Sequence, residues 1–292
     1  MSLFKAILDA MRPKQWVKNV FLFAALVFAR KFTEVDAWSQ ALMGFAAFSM
    51  VSSSGYIFND ARDREADALH PKKKFRAIAS GRLPLNVAYI EMVCLFSAGL
   101  GLAYYISPWF FALALAYFIN TMSYSLYFKN FVILDVMFIA MGFLWRVAAG
   151  AVAISVAPSP WLLMCTGFLS LFLGFNKRRG EIVLIKEQEP KEGTTRKNLD
   201  QYSETLVTEL QAITTSGTII SYGLYTIENN QWLMLTMPHV LYGVFRYIYL
   251  VTQHNEGGAP DETLLKDKPI LLTGLLYVIT IFAILILTPA KV

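Results

Sequence analysis

Residues 268–288, KPILLTGLLYVITIFAILILT, point to the fold class, because this stretch contains only one charged side chain. A helix of about 20 mainly apolar residues is long enough to span the hydrocarbon core of a bilayer. The whole chain shares this character: 56% of its 292 residues are hydrophobic and 16% are charged. Soluble proteins carry about 25% charged residues. The sequence therefore predicts an integral membrane protein.

Apolar runs of this kind recur along the chain and predict an all-α, polytopic fold with about nine transmembrane helices. Short turn motifs, such as Ser107-Pro108 and Asn229-Asn230, separate several of them. Basic residues precede the first run, but no small-residue cleavage site follows it, so we interpret it as a permanent helix and not as a signal peptide. The runs cover residues 15–30, 37–58, 84–104, 107–128, 132–157, 159–175, 205–226, 231–252 and 268–288.

The distribution of basic residues predicts the orientation. If the N-terminus is cytoplasmic, 21 of the 26 Lys and Arg residues lie on the cytoplasmic side and 3 on the opposite side. This bias follows the positive-inside rule. The net charge of +5 therefore indicates a multi-pass protein of the cytoplasmic (inner) membrane and not a nucleic-acid-binding protein. Cys94 and Cys165 fall within apolar runs and are predicted to be packing residues without a disulfide.

Two long polar segments, 59–83 and 176–203, lie on the predicted cytoplasmic side. The first contains Asp60, Asp63 and Asp67, which would share one face of a continuous helix. Clustered carboxylates need a compensating cation, and Mg²⁺ favours carboxylates together with water and substrate phosphate oxygens. The pattern therefore predicts a magnesium site that receives a phosphorylated substrate.

A basic run, residues 70–82, follows these acids. Its three consecutive lysines are expected to contact lipid headgroups or solvent. Arg76 and Arg82 are better candidates for phosphate ligands, because the planar guanidinium matches phosphate oxygens.

The motif Asn59-Asp60-x-x-Asp63-x-x-x-Asp67, followed by Arg76-x-Ile78-x-Ser80-Gly81, resembles the first signature of the UbiA superfamily of membrane prenyltransferases. The resemblance implies one UbiA-like domain over residues 1–292, with nine transmembrane helices around a central polar cavity open to the cytoplasm. It also implies that Asn59 and the three aspartates hold Mg²⁺ and the diphosphate of an activated substrate.

The second polar segment departs from the prenyl-transferring members of that superfamily. It begins Asn176-Lys177-Arg178-Arg179-Gly180-Glu181, with three cations where those members carry a second acidic motif. Together with the stretch 12–19, RPKQWVKN, this segment resembles the branch that transfers phosphoribosyl groups to polyprenyl phosphates. One acidic and one basic motif suit phosphoribosyl pyrophosphate, which carries a diphosphate at one end and a phosphate at the other. Whether Glu181 holds a second metal stays open.

Two ionisable residues lie within the run 132–157, where a charge costs about 2.5–3.5 kcal/mol on insertion scales. Asp135 and Arg146 are eleven residues apart, so a helix places them on one face about 16 Å apart, too far to pair. We expect Asp135 to bind metal or ribose hydroxyls, and Arg146 either to contact substrate or to form a structural contact.

These arguments give two sets of candidate site residues. The predicted catalytic residues are Asp60, Asp63, Asp67 and Asp135. The predicted substrate-binding residues are Gln15, Lys18, Asn59, Arg76, Tyr124, Lys129, Arg146, Lys177 and Arg178.

The predicted reaction is the transfer of 5-phosphoribosyl from phosphoribosyl pyrophosphate to a polyprenyl phosphate, for the synthesis of cell-envelope polysaccharide precursors. One alternative is a prenyltransferase that uses a prenyl diphosphate and an aromatic acceptor. Another is a transporter or lipid-binding protein, although no internal repeat or pair of interrupted helices favours it. The sequence leaves the oligomeric state open.

Overall fold

The computed structural model describes residues 3–187, 199–253, 263 and 265–288, and it is helical without a strand in these ranges. Part of the polar segment 176–203, residues 188–198, lies outside the described residues. The chain divides into two compact units. The described part of the first comprises residues 3–131 and 141–158, and that of the second comprises 132–140, 159–187, 199–253, 263 and 265–288.

The first unit is built around a long helix that carries the start of the acidic motif at its C-terminal end. Aromatic rings of Phe48, Phe110 and Tyr117 pack together in its core, with the Phe48 centroid 5.7 Å from Phe110 and 5.3 Å from Tyr117. Its α-helices are α1 (Leu3–Ala10), α2 (Ala24–Phe28), α3 (Val35–Arg62), α4 (Arg64–Leu69), α5 (Leu85–Ile106), α6 (Pro108–Leu126) and the larger part of α7 (Leu134–Ala153).

The second unit is dominated by two long helices that approach each other closely. A Cβ atom at Gly217 would lie 2.5 Å from the ring of Phe168, so glycine is required for this approach. Its helices are the start of α7, α8 (Pro160–Glu187), α9 (Glu204–Asn229), α10 (Met237–Gln253) and α11 (Lys268–Leu287).

Five helices in the described ranges are long and apolar enough to span a bilayer: α3, α5, α6, α7 and α11. Helix α9 matches the predicted run 205–226 but carries buried hydroxyl residues, including Thr214, Thr218 and Ser221. Each of these hydroxyls donates to a backbone carbonyl four residues earlier, so its hydrogen bond is made within the helix. The hydroxyl residues nevertheless lower the mean hydropathy of the helix. The count of nine spans stays a prediction.

The first predicted run, 15–30, is not one continuous α-helix. The structure has a 3-10 helix, Pro13–Phe23, followed by the short helix α2. In a 3-10 helix residues three apart are aligned, and Trp16 and Asn19 accordingly both face α3. Trp16 Nε1 donates to Ser53 Oγ at 3.0 Å, and Asn19 Nδ2 donates to Ser49 Oγ at 3.0 Å.

Two further sequence expectations are corrected. The sixth run was predicted to end at residue 175, but α8 continues to Glu187, so the basic motif 176–181 is helical. Cys94 is exposed on α5 and is not a packing residue, whereas Cys165 is half-buried. Both cysteines are free thiols, as predicted.

Candidate active site

Two nearly buried carboxylates lie together at the end of α3 and on α4. Asp60 is 4% exposed and Asp67 is 3% exposed. Arg76 Nη1 donates to Asp60 Oδ1 at 3.1 Å and to Asp67 Oδ2 at 2.5 Å. The two carboxylate oxygens are therefore no further apart than these distances combined. One guanidinium therefore lies between the two acids and neutralises charge on both.

A second guanidinium, that of Arg12, completes the neutralisation of Asp60. Arg12 Nε donates to Asp60 Oδ2 at 3.1 Å, and Arg12 Nη2 contacts Asp60 Oδ1. Arg12 has a positive φ of 53° just before the 3-10 helix, and its side chain lies 5.4 Å from the centre of the Tyr56 ring. Arg12 was not among the predicted site residues. The only signal in the sequence was its place at the start of the stretch 12–19.

The other two members of the acidic motif point to the end of α6. Lys129 Nζ lies 2.6 and 2.8 Å from the two oxygens of Asp63, and Ser125 Oγ donates to Asn59 Oδ1 at 3.1 Å. The expectation that three aspartates share one helical face is wrong. Helix α3 ends at Arg62, and Asp63 has φ −90° and ψ 11° at the junction with α4.

The basic run divides its cations between several acids. Lys73 Nζ lies 3.9 Å from Asp67 Oδ1, whereas Arg82 Nη1 binds Asp9 Oδ2 at 2.7 Å. His70 Nδ1 accepts hydrogen bonds from the backbone N–H groups of Lys72 and Lys73. Burial, and then the charge of Lys73, lowers the pKa of His70, which keeps this nitrogen an acceptor. Of the two arginines proposed from the sequence, Arg76 reaches the acidic pair and Arg82 is paired with Asp9.

Arg146 is buried in the first unit and binds only neutral groups among the described residues. Its guanidinium donates to Asn19 Oδ1 at 2.7 Å, to the Gly142 carbonyl at 2.8 Å and to Tyr117 Oη at 2.9 Å. It also lies 4.5 Å from the centre of the Tyr117 ring. These contacts favour the structural alternative for Arg146, as a polar link that holds the 3-10 helix.

In the second unit, the predicted site residues Asp135 and Arg178 form a buried pair. Arg178 Nε lies 2.8 Å from Asp135 Oδ2. The Nε–H group is not aligned on that oxygen, so the contact is an ion pair without a hydrogen bond. Asp135 is 0% exposed and Arg178 is 1% exposed. Asp135 and Arg178 are therefore both enclosed in the protein, where each neutralises the charge of the other.

The remaining predicted substrate-binding residues keep partly exposed side chains. They are Gln15, Lys18, Tyr124 and Lys177.

The donor chemistry of the acidic motif fits a hard divalent cation. Asn59, Asp60, Asp63 and Asp67 offer only oxygen ligands, as Mg²⁺ prefers. In the described residues no three acidic, His or Cys side chains already converge as a metal site. Asp60 and Asp67 face Arg76, while Asp63 faces Lys129. Metal binding at the acidic pair would therefore require Arg76 to move from between the carboxylates.

The fold and the family model agree on the class of protein. The model of the UbiA prenyltransferase family matches residues 20–263. The chain belongs to this family, and with its apolar helices it is a multi-pass membrane protein.

Curated relatives and solved structures show which proteins the chain is similar to. The chain is 32% identical to the decaprenyl-phosphate phosphoribosyltransferase of Corynebacterium glutamicum, over 99% of this chain and 89% of the relative. It is 30% identical to the enzyme of that name from Mycobacterium tuberculosis, over 97% of this chain and 95% of the relative. A UbiA homologue from Archaeoglobus fulgidus, solved with GPP and Mg²⁺, shares the fold with a TM-score of 0.76 at 17% identity, over 97% of this chain and all of that chain.

Proposed function

We propose that the protein transfers 5-phosphoribosyl from phosphoribosyl pyrophosphate to a polyprenyl phosphate and releases diphosphate. The observation that carries the proposal is the similarity, over nearly the full length, to relatives named decaprenyl-phosphate phosphoribosyltransferase. The family match runs through residues of both compact units, which supports one UbiA-like domain over residues 1–292.

The acidic motif has the residues to hold the diphosphate end of the donor. Asn59, Asp60, Asp63 and Asp67 would hold Mg²⁺, which when bound neutralises negative charge on the leaving diphosphate. Arg12, Arg76 and Lys129 already contact these carboxylates. With the carboxylates engaged by metal, these cations would be available as ligands for phosphate oxygens, because guanidinium groups bind phosphate in a bidentate way.

The reaction needs positioning more than proton transfer. An oxygen of the lipid phosphate forms a bond to ribose C1 while the bond from C1 to the diphosphate oxygen breaks, and the electron pair leaves with the diphosphate. The attacking oxygen is already anionic, so no general base has to remove a proton. The protein contributes orientation and electrostatic stabilisation.

The charge distribution supports a proposal for orientation and location. The excess of basic residues on one side supports an N-terminus and an active site that face the cytoplasm, in the cytoplasmic membrane. Phosphoribosyl pyrophosphate is water-soluble, so it would reach the acidic motif from that side, whereas the polyprenyl phosphate would come from the bilayer.

The test uses purified full-length protein in lipid nanodiscs with Mg²⁺, phosphoribosyl pyrophosphate and decaprenyl phosphate. We expect a lipid-linked phosphoribose, detected by mass spectrometry, and its loss when EDTA removes the metal. Product from a prenyl diphosphate and an aromatic acceptor, with none from phosphoribosyl pyrophosphate, would replace the proposal by the prenyltransferase alternative. Solute flux into liposomes without any product would favour a transporter.

A further inference from the structure

Asp135 stands at the centre of a polar cluster in the second unit. Tyr202 Oη donates to Asp135 Oδ1 at 2.7 Å, and Arg178 Nε lies 2.8 Å from Asp135 Oδ2. Both carboxylate oxygens therefore have a partner on a different part of the chain. Arg178 also contacts the carboxylate of Glu181 on the next turn of α8.

The two partners of Asp135 come from opposite ends of the second polar segment. Arg178 lies in the basic motif at its start, and Tyr202 lies at its end, just before α9. Apolar side chains close the same region: Phe175, Ile182 and Leu199 form one core cluster with Tyr202. One buried carboxylate thus holds both ends of the segment 176–203.

The backbone at the start of α7 is shaped around Tyr202. Ile133 has a positive φ of 69°, a conformation that is strained for a β-branched residue. Its N–H donates to Tyr202 Oη at 2.7 Å, and the N–H of Val136 donates to Asp135 Oδ1 at 2.9 Å. Strain of this kind persists where surrounding contacts over-determine it, often near functional sites.

The hydroxyl of Tyr202 is chemically fixed as a donor. Burial, and then the hydrogen bond to Asp135, raises the pKa of Tyr202 well above its usual range. The phenol therefore stays protonated at neutral pH. A tyrosine is needed for this role because it supplies a donor to the carboxylate and an acceptor to Ile133 N–H from one oxygen.

We propose that Tyr202, through Asp135 and Arg178, is a positioning residue for the transfer reaction. The inference rests on the proposed function. By fixing Arg178, the cluster fixes the rotation of the end of α8, where Lys177 and Glu181 lie four residues apart on one helical face. Lys177 is the residue of this face that is predicted to contact substrate.

Stability alone does not explain the full burial of the pair. Buried ion pairs contribute little net stability compared with apolar side chains of similar volume. Full burial of Arg178 and Asp135 is therefore better explained by the geometry that the pair imposes than by stability.

The experiment compares Tyr202→Phe with a matched control, Tyr222→Phe. Tyr222 Oη makes a buried hydrogen bond of 2.5 Å with Thr236 Oγ1 in the same unit, so each variant removes the hydroxyl of one buried tyrosine. The measurements are kcat and KM for phosphoribosyl pyrophosphate, with decaprenyl phosphate as acceptor, together with the melting temperature. Asp135→Asn is a second variant that keeps the shape of the side chain but removes its charge.

We expect Tyr202→Phe to lower kcat/KM about 10- to 100-fold, while Tyr222→Phe stays within about 2-fold of wild type and both variants lose similar thermal stability. Equal kinetics in the two variants would overturn the inference. If wild type itself makes no product, the proposed function fails. Hydrogen exchange at the Ile133 amide then tests the anchor, which predicts faster exchange in Tyr202→Phe and is refuted by unchanged exchange.

Discussion

The acidic pair of the first unit and the Asp135 cluster of the second unit both join carboxylates to arginine, but the arginines differ in exposure. The side chains of Arg12 and Arg76 are 22% and 28% exposed, whereas that of Arg178 is 1% exposed. Under the proposed function, Arg12 and Arg76 would exchange a carboxylate for a phosphate oxygen of the donor. Arg178 cannot do so without unpacking the protein. The comparison shows that the same pair of groups is partly exposed in one unit and fully enclosed in the other.

The largest effect is expected from substitutions of the aspartates in the acidic motif. Asp60→Asn and Asp63→Asn should each lower turnover about 1,000-fold or more, because each removes a charged oxygen ligand from the predicted metal site. The matched control is Asp9→Asn, which removes a carboxylate that Arg82 binds at 2.7 Å in the same unit. Turnover near the wild-type rate in Asp63→Asn would refute its role in metal binding.

Loss of the buried Asp135–Arg178 pair should affect folding before it affects catalysis. Arg178→Met leaves Asp135 buried without its cation, a change that costs about 3–5 kcal/mol. We expect a fall in melting temperature of about 10 °C. Arg76→Ala should raise the KM for phosphoribosyl pyrophosphate, because Arg76 lies beside the predicted metal ligands Asp60 and Asp67.

A double variant distinguishes the effect of the Asp135–Arg178 pair on stability from its effect on the orientation of α8. Asp135→Leu combined with Arg178→Met replaces the pair by apolar side chains, which is often neutral for stability. Thermal stability should recover in part, whereas activity should stay low because the orientation of α8 is no longer fixed. Recovery of both thermal stability and activity would show that the Asp135–Arg178 pair serves folding alone.

The smallest effect concerns pH and sharpens the account of Tyr202. Its pKa is raised in the folded protein, so the neutral phenol persists as pH rises past the usual range of tyrosine. The pH profile of kcat/KM should therefore have the same shape in wild type and Tyr202→Phe up to about pH 9.5. An alkaline limb present in wild type and absent in the variant would contradict this.

Much of the fold could be predicted from the sequence, because membrane helices follow from local hydropathy. The ends of the runs 84–104 and 268–288 differ from those of α5 and α11 by at most two residues. The extension of α8 to Glu187 was not predicted. The segment is charged, which suggests a loop, and the packing that keeps it helical is not visible in the sequence. In the structure, Ile182 is buried in a core cluster with Val207 of α9.

The site was predicted less completely, since its partners are distant in sequence. The motif contains Asp60 and Asp67, which lie together in the structure, but the contacts of Arg12 with Asp60, over 48 residues, have no local pattern. The burial of Arg178 was equally hidden. Three consecutive cations look alike in a sequence, and only the packing against Asp135 turns the middle one inward.

The hydroxyl contacts of the 3-10 helix also bear on the order in which the protein is assembled. Residues 13–23 leave the ribosome before α3, yet Trp16 and Asn19 bond to serines of α3. Polar groups without partners are costly in lipid. The first segment is therefore expected to remain at the membrane interface until α3 is present, so that these two segments enter the membrane together.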